Sequence, residues 1–169
     1  YPSSNPAANI AVVLAKTIQL FKGKKVKSKL LKSLAIDPFN KTIKNPRTQS
    51  DWLSYNTENV DKYISDPLCG WGFLTSSYEA LFRLLANMHK VKLFKSINKE
   101  LPIYLISGDD DPCTGKEKGV KSTYEALKKI GFNVQEPKIY KHARHEILND
   151  ITYAQTKNDI AVFVENDII

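Results

Sequence analysis

A chain of 169 residues with 42% hydrophobic side chains, seven glycines and eight prolines has room for one ordinary domain and the composition of a globular protein, not a disordered or fibrous one. No apolar run approaches the ~18–20 residues that span a bilayer, and no basic-then-apolar stretch within it ends in a leader cleavage site. Two lone cysteines, Cys69 and Cys113, exclude a disulfide framework and point to a reducing cytoplasm. The net charge of +7 is uneven: residues 1–50 hold ten Lys or Arg against one acid, Asp37, and the remainder hold fifteen bases against seventeen acids.

Tyr1 to Asn9 reads as a turn-rich entry. From Ile10 to Phe21 the apolar residues Val13, Leu14, Ile18 and Phe21 fall near helical spacing. Gly23 breaks that pattern, and the Lys-rich run Lys24 to Lys32 follows with Val26, Leu30 and Leu31 as its apolar face. Asp37-Pro38 and Asn45-Pro46 are loop signals, Asn59 to Ile64 a short helix ended by Asp66-Pro67. Thr75 is placed to cap a helix over Ser76–Met88, with Tyr78, Leu81, Phe82 and Leu85 as its stripe. After Leu101-Pro102 the character changes. Ile103 to Ile106 reads as a strand buried on both faces and bounded by Gly108. Gly119 to Ile130 reads as a helix with Gly131 at its C-terminal end, Val134 to Tyr140 as a second strand, and Ile147 to Val164 as a closing helix. Strand, helix, strand, helix implies an α/β arrangement with parallel pairing. Because parallel sheets need ~4–6 strands covered on both faces, these two read as the end of a larger sheet whose first strands lie outside the sequence.

Chemistry concentrates just beyond the two strands, where α/β sheets gather ligands and catalytic groups. Ser107-Gly108-Asp109-Asp110-Asp111-Pro112 follows the first, and Tyr140-Lys141-His142-Ala143-Arg144-His145-Glu146 follows the second. An acid and a His so placed face each other across neighbouring strands, as a carboxylate must in order to orient an imidazole and stabilise it when protonated. Their order matches the last two members of a Ser, acid, His triad. The nucleophile belongs in Gly-x-Ser-x-Gly on a strained turn. Gly115 and Gly119 are the only glycines with that spacing, and Glu117 lies midway between them, so no nucleophile is found in this chain.

The run Leu101 to Gly108 followed by Asp-Asp-Asp-Pro, together with Tyr140 to Leu148, resembles the acid loop and the Tyr-x-x-Ala-x-His-Glu-x-Leu stretch of bacterial monoacylglycerol lipase-like and lysophospholipase-like α/β-hydrolases, the serine aminopeptidase S33-like group. Arg47-Thr48, Asp51-Trp52-Leu53-Ser54, Val60-Asp61-Lys62-Tyr63 and Asp66-Pro67-Leu68-Cys69-Gly70 are similar to that group's cap region. The resemblance implies the C-terminal portion of an α/β-hydrolase, parallel strands with flanking helices, preceded by a helical cap: a lid region over 1–74 and the core part over 75–169. It implies a serine ester hydrolase with Asp111 and His145 as catalytic acid and base, no cofactor, and an acyl ester or lipid as substrate. The Ser is then expected in a Gly-x-Ser-x-Gly roughly 20–60 residues upstream of Tyr1. Trp71 and Phe73 become candidates for contact with a lipid chain, since the family's cap lines its acyl tunnel. Cys113 stands where the family usually has a small apolar residue.

Competing readings are weaker. Asp109 to Asp111 as a calcium loop is opposed by Cys113 at the next ligand position, and His142 with His145 lacks a second ligand pair, so no metal site is expected. Cys113, lying in the acid loop and not on an elbow, is not read as a nucleophile. Lys22 to Lys32 is a solvated face or, in a lipid hydrolase, a patch for peripheral contact with an anionic membrane. Without interleaved aromatics it does not read as a nucleic-acid site. A different class of protein, a non-catalytic fragment or interaction module forming a homodimer through its exposed sheet edge, remains the alternative. So does the same fold turned to peptide, epoxide or halide chemistry.

Overall fold

The computed structural model describes residues 7–88, 90–94 and 98–168, so the entry predicted before Ala7 lies outside them. The chain divides into two compact units. One takes the residues up to Pro38 together with those from Leu68 to Phe94, and the other takes Phe39–Pro67 together with the chain from Asn98 onward.

The first unit is helical. α1 (Ala7–Lys22) extends past both ends of the predicted stripe and turns Ala15 into a core shared with Leu31, Tyr78 and Phe82, flanked by Val12, Ile18 and Leu85. Gly23, in the left-handed region at φ +93°, ends α1. The Lys-rich run is not one amphipathic segment. α2 (Lys29–Ala35) starts only after Ser28, whose hydroxyl accepts the Leu31 N–H at 3.3 Å. Of the three apolar residues expected on its face, Leu31 is fully buried while Leu30 and Val26 stay exposed. The stripe predicted for the next helix is correct, but its cap is not. Thr75 is the first residue of α5 (Thr75–Asn87), and its hydroxyl donates to the carbonyls of Gly23 and Lys24 at 2.9 and 2.8 Å, so it is engaged away from the helix end. α3 (Asp37–Lys41) carries the chain into the second unit. No described helix is long and apolar enough to cross a membrane.

In the second unit α4 (Thr57–Ser65) is capped by the Asn56 side chain, which accepts the Glu58 and Asn59 N–H groups. β1 (Ile106–Gly108) and β2 (Lys138–Tyr140) pair in parallel with Ile106 opposite Lys138 and Gly108 opposite Tyr140; Ile103 and Val134 form a separate parallel bridge. Ile103 to Ile106 are half-buried, not buried on both faces, because β2 is β1's one partner among the described residues. α6 (Lys116–Ile130) joins the strands and ends as predicted on Gly131, at φ +91°, whose N–H caps the carbonyls of Leu127 and Lys128. The closing helix, α7 (Tyr153–Asp167), begins six residues later than the pattern suggested. Ile147 to Thr152 instead forms turns around the buried Asp150.

Candidate active site

Two loops leave the parallel strands side by side, and a glycine allows it. Asp109 N–H donates to Tyr140 O at 2.9 Å, continuing the ladder one step past β1. A Cβ on Gly108 would lie 2.2 Å from Ala143 O and 2.4 Å from Ala143 C, so the β2 loop crosses where any side chain would stand. Gly108 is therefore required by space, not by a left-handed backbone angle. Ala143 is fully buried; its carbonyl accepts Asp110 N–H at 3.1 Å and its N–H reaches Asp109 Oδ1 at 3.4 Å.

This crossing brings the predicted pair together. His145 Nδ1 lies 3.1 Å from Asp111 Oδ2. Asp111 is buried, and its other oxygen accepts the Cys113 N–H at 2.8 Å, which fixes the carboxylate. His145 is partly open, with 38% of its side chain exposed. The hydrogen bond to Asp111 holds the imidazole above its ordinary pKa. Burial pulls it down without prevailing, and the charges of Asp111 and Glu146 add to the rise. With Nδ1–H committed to the carboxylate, Nε2 is the nitrogen that takes up a proton, the arrangement of a general base with its orienting acid.

The other two aspartates have separate tasks. Asp110 pairs with Lys116 Nζ at 2.8 Å and accepts the Tyr55 hydroxyl. Those two bonds hold its carboxyl below the usual range. Asp109 faces Lys141 at 3.8 Å. Burial, with the Asp111 charge beside it, pushes the Cys113 thiol up and away from the reactive thiolate.

The sequence reading missed the frame around His145. Arg144 N–H donates to Asp150 Oδ2 at 2.7 Å, and Glu146 N–H to Leu53 O at 2.8 Å, so both neighbours of His145 are tied down. Asp150 Oδ1 accepts the N–H groups of Tyr55, Asn56 and Ile151 at 2.9, 3.2 and 2.8 Å. Asn59 Nδ2 bonds Glu146 Oε2 at 2.5 Å. Trp52 lies against the imidazole with ring centroids 5.1 Å apart, and Phe39 lies 5.1 Å beyond Trp52. Trp52 is carried on the short 3-10 turn Asp51–Leu53. Burial pushes the Asp51 carboxyl up, but the Thr48 hydroxyl and the N–H groups of Arg47 and Thr48 outweigh it and hold the group low. The signal for this frame lay in the Asp51-Trp52-Leu53-Ser54 and Arg144-His145-Glu146 strings, yet the bonds run through backbone carbonyls that no residue pattern reveals. Trp71 and Phe73, the predicted lipid contacts, are on the helical unit. Trp71 is 63% exposed beneath Lys27, whose Nζ is 4.7 Å from the ring centroid, and Phe73 packs edge-on against Tyr78.

A family model described as serine aminopeptidase, S33 matches residues 3–152. No curated protein sequence matches the chain. Among solved structures it is similar to a highly thermostable carboxyl esterase from Bacillus coagulans in complex with glycerol, with a TM-score of 0.85 and 24% identity over 99% of this chain and 55% of that one. It is similar to a lipase in its open form, with a TM-score of 0.77 and 20% identity over 97% of this chain and 54% of that one. A soluble variant of monoglyceride lipase from Saccharomyces cerevisiae, in complex with a substrate analog, gives a TM-score of 0.57 and 13% identity over 95% and 62% of the two chains. These likenesses establish the fold, a portion of an α/β-hydrolase. The chain spans about half the length of the first two structures.

Proposed function

The chain belongs to the serine aminopeptidase S33 family of α/β-hydrolases, and from that premise we propose that it supplies the acid and base of a serine ester hydrolase acting on monoacylglycerol, lysophospholipid or a related acyl ester. The observation that carries this reading is the 3.1 Å bond between Asp111 and His145 at the ends of adjacent parallel strands. In the proposed reaction a serine supplied from outside these residues attacks the ester carbonyl, and its proton passes to His145 Nε2. Asp111 stabilises the imidazolium that forms. His145 then returns the proton to the leaving alcohol, and in the second half it deprotonates the water that releases the acid.

The lid is assigned to residues 1–74 and the core part to 75–169, although compactness groups 39–67 with the sheet. Trp71 and Phe73 are assigned to the acyl chain, and Lys22–Lys32, beside the exposed Leu20 and Phe21, to peripheral contact with anionic lipid. The test is esterase activity of the full-length protein on p-nitrophenyl acyl esters with and without His145→Ala. Loss of turnover and of fluorophosphonate labelling supports the reading. Retained turnover in His145→Ala rejects it, and a parent protein with neither turnover nor labelling favours the non-catalytic alternative.

A further inference from the structure

His145 sits between two residues whose bonds lead to the same short turn, and the side chain of Arg144 makes the shortest of those links. Arg144 Nη1 donates to Asp51 O at 2.6 Å and to Ser54 O at 3.1 Å, the first carbonyl within the 3-10 turn Asp51–Leu53 and the second just past its end. Its guanidinium carbon lies 3.8 Å from the centroid of the Tyr55 ring, so the planar group stacks on the next residue along. Nε is buried without a hydrogen-bond partner among the described residues, so the grip comes from Nη1 and the stacked face.

We propose that Arg144 is a positioning residue for His145: its guanidinium clamps the Asp51–Leu53 turn, and the turn in turn holds Trp52 against the imidazole that Asp111 orients. The inference rests on the reading of His145 as the catalytic base. Three restraints converge on one ring: the Asp111 bond at Nδ1, the Trp52 ring at 5.1 Å, and the backbone ties of both flanking residues. Release of the turn removes Trp52 and frees the loop on one side, and the imidazole then swings out of line with Asp111. Both the planarity and the charge of Arg144 are used: Nη1 donates to two carbonyls while the flat face of the group lies on an aromatic ring, a combination that guanidinium offers and ammonium does not.

The test uses the full-length protein with Arg144→Met, Arg144→Lys and Tyr55→Leu, and with His145→Ala in parallel, following kcat, KM and the acid limb of the pH profile. Arg144→Met is expected to lower kcat about 10–100-fold, the scale of a misplaced catalytic group. KM should stay within about twofold, and the acid limb should move to lower pH as His145 loses the bond that raises its pKa. Arg144→Lys should recover only part of that loss. If Arg144→Met fails to fold, Tyr55→Leu, which removes the stacking ring together with the hydroxyl that bonds Asp110, should lower kcat and move the limb in the same direction by less. Tyr55→Phe, which loses the hydroxyl and keeps the ring, should change neither. An unchanged kcat, or a fall in kcat with the limb unmoved, overturns the proposal, since the effect would not then pass through His145. Activity surviving in His145→Ala would instead reject the functional reading on which the proposal rests.

Discussion

Gly108→Ala puts the architecture of the site to a strict test. The added methyl meets Ala143 O at 2.2 Å, Ala143 C at 2.4 Å and Arg144 O at 2.5 Å. All three are backbone atoms, so no rotamer change relieves the clash. Ala143 O must retreat by at least 0.8 Å to reach a 3.0 Å separation, and Ala143 is fully buried with its carbonyl bonded to Asp110 N–H. Overpacking of this kind costs about 1–3 kcal/mol, and the lost hydrogen bond about 1 kcal/mol more. Gly108 has no left-handed φ, so alanine also lowers the entropy of the unfolded chain, a gain of about 0.4–1 kcal/mol. The clash wins, leaving a net loss of about 1–4 kcal/mol, or roughly 2–16 °C in Tm for a chain of this size. Because the loop that moves carries His145, the Asp111 bond should lengthen and the imidazole pKa should fall. Thermal unfolding by circular dichroism reads the first effect and histidine-ring NMR titration the second. An alanine variant as stable as the parent, with an unmoved His145 titration, refutes the reasoning.

Three further outcomes follow from the same geometry. Asp111→Asn should lower the His145 pKa, since its largest cause is the bond to Asp111, and ring NMR across pH checks this. Asp150→Ala leaves the N–H groups of Tyr55, Asn56, Arg144 and Ile151 without their acceptor. A fully buried donor left unpaired costs about 1–3 kcal/mol; these four are only partly buried and water relieves some of that, so a loss of about 3 kcal/mol is expected in urea unfolding. Raised above its unfolded value of about 6.5, the folded pKa of His145 makes a stabilising contribution that is complete below that pH and fades as pH rises through the folded value. The urea midpoint should therefore decline across that window in the parent and decline less in Asp111→Asn.

The parts of this site written in local pattern could be read from the sequence, and the parts written in backbone geometry could not. Asp111 and His145 were legible because each follows a strand at a fixed offset and because their order is that of a triad. Gly131 was legible because a helix stop needs a left-handed residue, and parallel pairing because strand and helix alternate. Helix limits failed where a tertiary bond outranked the pattern. Thr75 looked like a cap, but its hydroxyl is taken by Gly23 and Lys24. Ile147 to Thr152 reads as the start of the closing helix, but Asp150 gathers N–H groups from three separate stretches and holds it in turns. Trp71 and Phe73 stand out as aromatics of the expected lid, whereas Trp52, the aromatic against His145, is visible only as one letter of the Asp51-Trp52-Leu53-Ser54 string. Nothing local distinguishes these tryptophans; the difference is made by Arg144, whose partners are the carbonyls of Asp51 and Ser54 some ninety residues away.

The most direct measurement is the rate at which a fluorophosphonate labels the full-length protein as a function of pH, with Asp111→Asn beside the parent. If Asp111 and His145 activate a serine, labelling should rise through an acid limb above the ordinary imidazole range. It should fall on the order of 10⁴-fold in Asp111→Asn, where the imidazole is held in the wrong tautomer. Labelling at the parent rate in Asp111→Asn, or no labelling of the parent at any pH, would contradict the assignment of this pair as the site's acid and base.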